Sequence, residues 1–405
     1  MKTDKKPPKG AAVVSAPHRP SSENATTVIK VKRVTVNVFF DGTLNNYYNA
    51  NQRRGEVSSY GNDLSNIARM WRDLDKQKEH ATTYIQGIGT QRGEADRTVI
   101  GAGLALGETG VKQRAETAMR QVASDAKKNG KLTFLTLNVF GFSRGAAAAR
   151  YFIHLAKTEP WRFEGLGLSA KMIDINFVGL FDTVSSSGVS FANDVKNYHL
   201  NFEAGYARKV FHLCARDEYR KNFALTTIDS AKGTCNGYEL TIPGAHSDVG
   251  GGYISAPWQE VSTIPHGTPY KAFILKQGWY NEEDSPKKDA YFKRTVHGEY
   301  YRVGLSIMVA MAEKYAPTIM YSAEVKVIAS SVYASNVGAL QKILVPYALA
   351  ENSSEWDIDV RFGGKSAKWW RRNLFHMSHD FGGIANVINR EHGGFERHIY
   401  RDNAQ

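Results

Sequence analysis

The chain has 405 residues, 42% of them hydrophobic and 23% charged, with a formal net charge of +12. That length and composition suit one large α/β domain with insertions, or two smaller domains. No apolar run approaches the roughly 20 residues that cross a bilayer, which excludes a membrane-spanning helix. The positive charge favours anionic partners, either nucleic acid or an anionic membrane surface. The basic residues are scattered, apart from the amino-terminal lysines and the group Lys365, Lys368, Arg371 and Arg372 around Trp369 and Trp370. That group suits a membrane interface; its blander reading is a solvated basic face beside two core tryptophans. Cys214 and Cys235 are the only cysteines. Lacking zinc-ligand or C-x-x-C spacing, they read as two free thiols, with a single disulfide as the alternative in an oxidising compartment.

Met1 to Thr27 is rich in Lys, Pro, Ser and Ala and has no apolar core of a secretory signal. Residues 1–30 read as a disordered basic arm and 31–405 as one α/β domain. Val34–Phe40 is a β-branched and aromatic strand that ends in the polar loop Asp41–Asn46. Asp63–Asp75 follows as a helix, with Leu64, Ile67, Ala68 and Trp71 on one face. Thr82–Gln86 is a short strand. The glycine-rich stretch Gly87–Gly110 holds Gly101, Gly103 and Gly107 at a spacing wrong for a dinucleotide fingerprint. Val111–Lys128 is an amphipathic helix with Gly130 as its C-cap.

Leu132–Phe140 then has the length and composition of a buried strand. Gly141-Phe142-Ser143-Arg144-Gly145 follows at once, and four alanines lead a helix to Lys157. Strand, sharp turn and helix around G-x-S-x-G are the context of a nucleophile elbow. The bland alternative is a glycine turn with an incidental serine. Ile173–Phe181 is the next buried strand, Arg208–Cys214 a helical turn and Tyr238–Ile242 another strand. Strands alternating with helices imply a mainly parallel sheet covered on both faces. Beyond Ser255 the pattern weakens, and 255–300 reads as an insertion or lid. Tyr301–Tyr315 returns as a helix. Glu324–Gln405 reads as one or two strands among glycine-rich loops.

A serine nucleophile needs a base and an acid to orient it. Open parallel sheets gather such groups at the carboxyl ends of strands. Asp182 follows the strand ending at Phe181, and His246 follows the strand ending at Ile242. Asp248 competes for the acid role and His379 for the base. Asp182 also fits a turn-forming residue at a strand end. The oxyanion hole is expected to use the backbone N–H of Arg144 and a second N–H from Gly42 or Thr43. Asp41 either braces that loop or merely ends the strand.

Four blocks carry a resemblance: Phe39–Asn46, Gly141–Ala146, Gly179–Val184 and Pro243–Tyr253. Together they resemble the α/β-hydrolase catalytic domain of type VI secretion antibacterial phospholipase effectors. Ala215–Arg220 resembles a fifth block whose role is structural ion pairing. The resemblance implies an α/β-hydrolase fold over 31–405 and a phospholipase A type activity on bacterial glycerophospholipids, with the triad on Ser143, Asp182 and His246. It implies a membrane phospholipid substrate, a cognate immunity protein, a secretion spike component as carrier and delivery to the target-cell periplasm. No nucleic-acid partner, metal or other cofactor is expected, with a calcium requirement left open. An esterase of soluble esters and a non-catalytic membrane-binding module are the alternatives.

Overall fold

The computed structural model describes residues 32–52, 58–77, 80–96, 109–128, 132–186, 193–254, 259–263, 267–284, 292–326, 334–352, 355–356, 365–377 and 396–403. The expected amino-terminal arm, Gly101, Gly103, Gly107 and Gly130 lie outside them.

Strands β1 (Arg33–Phe40), β2 (Ala81–Ile85), β3 (Phe134–Phe142), β4 (Ile173–Phe181), β5 (Lys209–Ala215) and β7 (Gly237–Ile242) form one sheet. β6 (Leu225–Thr226) lies outside that sheet. The order is β2-β1-β3-β4-β5-β7, and every neighbouring pair runs parallel. Parallel strands need crossovers, and the crossovers here cover both faces. Helices α1 (Asn66–Lys76), α2 (Val111–Lys128), α3 (Arg144–Thr158), α4 (His246–Gly250), α5 (Tyr301–Tyr315), α6 (Ala334–Leu349) and α7 (Ala367–Leu374) provide most of that cover.

Alternation along the strands sorts the core into two layers. Phe39, Phe140, Phe177, Phe211 and Leu240 face one side with Ile67, Met70 and Leu74 of α1 and Val303 and Met308 of α5. Val36, Val38, Leu137, Val139, Ile175 and Val210 face the other, against Val111, Ala115 and Val122 of α2 and Phe152 of α3. Burying each of the larger of these side chains contributes about 1.5–3 kcal/mol. One polar row crosses the sheet. Asn138 Nδ2 donates to Asn37 Oδ1 at 2.8 Å, and Asn176 Nδ2 donates to Asn138 Oδ1 at 3.0 Å. The buried amides of Asn37 and Asn138 are thus satisfied within the row.

The helices expected at 111–128 and 301–315 and the strand at 173–181 lie where their patterns placed them. Arg208–Cys214 is not a helical turn: Arg208 is exposed, and Lys209–Cys214 belong to β5, buried throughout between β4 and β7. Its polar residues are satisfied inside, Lys209 by Glu351 and His212 by Glu239. Among the described residues of 324–405, helices α6 and α7 outweigh strand, which is limited to the two-residue β10 (Ile399–Tyr400). In the segment 255–300, β8 (Gln259–Thr263) pairs antiparallel with β9 (Phe292–Val296), and the helix Gly267–Gln277 lies between them in sequence. Trp279 and Tyr280 of this segment are fully buried. Trp370 is also in the core while Trp369 is half-buried, and Arg372 of the basic group pairs with Asp284.

Candidate active site

The chain leaves β1 for β2 on one side and returns to β3 on the other, so the strand order switches between β1 and β3. Ligand crevices form at the carboxyl ends of strands at such a point. Ser143 stands there, directly after β3 and ahead of α3, with φ 58° and ψ −131°. Positive φ at a residue with a side chain costs on the order of 1–3 kcal/mol, which the surroundings must impose. Ser143 N donates to Phe181 O at 3.0 Å, and Val184 N donates to Ser143 O at 3.3 Å. The flanking glycines let the elements close in. A Cβ on Gly145 would lie 2.1 Å from Asp41 O, and one on Gly141 would lie 2.6 Å from Ala146 Cα.

Those two backbone bonds place the elbow against the turn that carries Asp182. Asp182 is fully buried, at φ 43°. Its Oδ2 lies 2.5 Å from His246 Nδ1. Its Oδ1 accepts from Ala215 N at 2.8 Å. Arg397 donates to both oxygens, at 2.5 and 2.8 Å. Burial alone would push the Asp182 carboxyl up, but Arg397 and His246 outweigh it and hold the group well below the usual carboxylate range. Burial pushes the His246 imidazole below its ordinary 6.5, against the pull of Asp182. Nδ1 therefore donates to Asp182, and Nε2 of the neutral ring is left as the acceptor. The ring packs on Phe142 at 4.6 Å between centroids, and Phe142 directly precedes Ser143 in the chain. Among the described residues no hydrogen bond joins Ser143 Oγ to this ring. Such bonds often tighten only when substrate is bound.

The loop after β1 lies beside the elbow, as the Asp41–Gly145 contact requires. Gly42, expected as an oxyanion donor, is already engaged: its N–H donates to Asp41 Oδ1 at 2.8 Å. Thr43 follows it on the same loop, and Arg144 is the first residue of α3, where backbone N–H groups point out of the helix end. Asp41 braces the loop. It also accepts from Ser65 Oγ at 2.6 Å and Tyr84 OH at 2.5 Å. Burial pushes its carboxyl up to about 6 even against those bonds. Thr43 Oγ1 further accepts from Arg144 Nη1 at 3.5 Å, which ties loop to elbow.

Residues 34–159 and 162–267, more than half of the chain, match the family described as "T6SS, Phospholipase effector Tle1-like, catalytic domain". The chain belongs to this family. Over 95% of its length it matches 98% of the effector chain in the structure of the Tle1 effector bound to the VgrG spike from the type 6 secretion system, with a TM-score of 0.60 and 20% identity. At that identity the likeness is one of fold, and it accords with an α/β-hydrolase-like architecture. An uncharacterized protein from Pseudomonas aeruginosa matches 80% of the chain with 52% of its own, at a TM-score of 0.44 and 18% identity. No curated protein matches in sequence.

In this Tle1-like domain the rival acid is occupied elsewhere. Asp248 Oδ1 pairs with His376 Nδ1 at 2.6 Å, and its Oδ2 accepts from Ala245 N and His376 N. His379, the rival base, lies outside the described residues. The Ala215–Arg220 block makes ion pairs as expected: Arg220 forks onto the buried Glu218 at 2.9 and 2.8 Å. Glu218 Oε2 in turn accepts His246 N at 3.3 Å.

Cys214 and Cys235 are both buried and free. His212, Cys214 and Glu239 bring ligand-type atoms within 4.8 Å of one another. Their bonds suit a buttress better than a cation. His212 Nε2 accepts Thr183 N–H at 2.9 Å, so Nδ1 carries the proton directed at Glu239 Oε2, 2.9 Å away. Burial also pushes the Cys214 thiol well up, away from the thiolate a metal needs. The trio therefore steadies the turn that carries Asp182. Sequence reasoning found neither this trio nor Arg397, whose neighbours Glu396 and His398 form no motif and whose target is distant in sequence.

Proposed function

We propose that this Tle1-like phospholipase domain is a serine hydrolase that cleaves acyl ester bonds of membrane glycerophospholipids. The observation that carries the reading is the junction of three strand ends. Ser143 is bonded through its backbone to Phe181 and Val184 on either side of Asp182, and Asp182 holds the His246 ring. Ser143 Oγ attacks the ester carbonyl carbon while His246 Nε2 takes the hydroxyl proton. Asp182 keeps the ring in the tautomer that makes this possible and stabilises the imidazolium. The N–H groups of Arg144 and Thr43 receive the charge that develops on the carbonyl oxygen. As the tetrahedral centre collapses, His246 returns the proton to the departing lysophospholipid alkoxide. Water, deprotonated by the same ring, then releases the fatty acid from Ser143.

The family supports delivery by a type VI secretion apparatus, and the fold match to a Tle1 effector held on a VgrG spike supports a spike protein as carrier. A cognate immunity protein and action in the target-cell periplasm follow from an antibacterial role. We read 255–300 as the segment closing over bound lipid. Among the described residues no helix is long and apolar enough to cross a membrane.

The test is covalent labelling with a fluorophosphonate, located by peptide mass spectrometry. Labelling of Ser143 in the wild type, lost in His246→Ala, is the expected result. A folded protein that leaves Ser143 unlabelled overturns the serine mechanism.

A further inference from the structure

Arg397 is bonded to the site more completely than a surface-anchoring residue needs to be. Its Nη1 donates to Asp182 Oδ1 at 2.5 Å and Ala215 O at 2.7 Å. Its Nη2 donates to Asp182 Oδ2 at 2.8 Å and Phe223 O at 3.1 Å, and its Nε donates to Phe223 O at 3.2 Å. All five guanidinium N–H groups thus have acceptors. One planar group joins the turn after β4, the end of β5 and Phe223, whose ring meets the His246 ring at 5.1 Å.

The segment that supplies Arg397 has its own anchors. Leu225 N donates to His398 O at 2.9 Å, and Ile399 and Tyr400 pair with β6 as β10. Asp402 forms a buried ion pair with Arg150 of α3 at 2.6 Å and accepts from Ser230 N at 2.9 Å. These contacts hold residues 398–402 without help from Arg397. Its reach to Asp182 is therefore an addition to anchoring.

We propose that Arg397 is a positioning residue of the hydrolytic site: its fork fixes the Asp182 carboxylate toward His246 Nδ1, and its charge offsets part of the negative charge facing that ring. The inference rests on the serine-hydrolase reading above. It makes the carboxy-terminal segment a part of the active site, although the family match ends at residue 267.

A bidentate fork restrains both carboxylate oxygens, whereas a lysine offers one point charge. The groups facing His246 are Asp182 from the turn after β4, Glu218 and its partner Arg220 from the loop after β5, Arg397 through Asp182, and the rings of Phe142 and Phe223. Asp248, on the same helix as His246, is turned to His376. Removing the Arg397 charge leaves two carboxylates opposed by Arg220 alone. The His246 imidazolium is then easier to form, and the acid limb of reactivity moves to higher pH.

The experiment measures the rate of Ser143 labelling by a fluorophosphonate against pH, in the full chain, for wild type, Arg397→Ala and Arg397→Lys. Circular dichroism and thermal melting verify folding. Arg397→Ala is expected to label about 10–100-fold more slowly at neutral pH, the loss typical of a group that orients a functional ligand. Its acid limb should shift upward, and guanidinium ion well below denaturing concentration should restore part of the rate. Arg397→Lys should be slow with the wild-type midpoint, because it keeps charge and loses the fork. A folded Arg397→Ala with wild-type rate and midpoint, or with a loss that neither shifts the limb nor responds to guanidinium, overturns the inference. If Arg397→Ala does not fold, a wild-type rate in Arg397→Lys overturns it. An unlabelled Ser143 in the wild type removes the hydrolase reading itself, a result distinct from the others.

Discussion

Asp248 and His376 form a second buried carboxylate–imidazole pair, 2.6 Å apart, in the molecule that holds Asp182 and His246 at 2.5 Å. The two pairs are chemically alike but differ in what surrounds them. Asp182 lies beside the Ser143 elbow. Asp248 accepts the N–H of Ala245, the residue just before α4, and the N–H of His376, and Tyr253 stacks on the His376 ring at 3.9 Å. Asp248 thus fastens the histidine loop to the chain beyond α7.

Asn in place of each acid separates the roles. Asp182→Asn is expected to lower kcat by about 10⁴-fold, the cost of losing the correct imidazole tautomer. Asp248→Asn should instead cost about 1–3 kcal/mol of stability through its unmet buried bonds, with a far smaller change in kcat. Steady-state kinetics beside urea titration read both.

Gly145→Ala tests the close approach of loop and elbow. The added Cβ would meet Asp41 O at 2.1 Å, and backbone cannot swing aside as a side chain does. A loss of about 1–3 kcal/mol is expected from the overpacking. Activity should fall by more than the lost stability explains, because Thr43 moves with the loop. Melting temperature and kcat/KM measured together check this.

The pH dependence has a definite sign at two groups. Burial holds His246 below the ordinary imidazole value of 6.5, so the acid limb of kcat/KM should have its midpoint below 6.5. Asp41 is raised in the folded state to about 6 from an ordinary 3.8. A carboxyl raised on folding contributes stability that is full below 3.8 and lost as pH rises through about 6. Asp41→Asn lacks that loss. Its stability relative to wild type should therefore improve between those pH values, as urea midpoints across the range would record.

Arg150 and Asp402 are both buried, and their ion pair ties α3 to the carboxy-terminal segment. Arg150→Met leaves the Asp402 carboxylate uncompensated and should destabilise the fold by about 3–5 kcal/mol. Denaturant unfolding measures it.

The elements legible in the sequence are those whose signal is local. The run 134–142, the glycines at 141 and 145 and the alanines after them announce strand, turn and helix within a few residues. Asp182 and His246 are legible because one directly follows a strand and the other comes a few residues after one. β5 was missed because Lys209 and His212 interrupt its apolar run, and the acids that satisfy them, Glu351 and Glu239, come from distant parts of the chain. α6 is hard to see in the sequence because it contains Gly338 and Pro346, both poor helix formers. Its buried Val337, Leu340, Leu344 and Ala348 do repeat at helical spacing. Arg397 had no such signal, since nothing adjacent to it in sequence marks its partner.

The most direct measurement is the lipid product formed from mixed phospholipid vesicles by wild type and by Ser143→Ala. Wild type should release free fatty acid and lysophospholipid in equal amounts, and Ser143→Ala, equally folded, should release neither. Undiminished release by Ser143→Ala would contradict a serine nucleophile at this elbow.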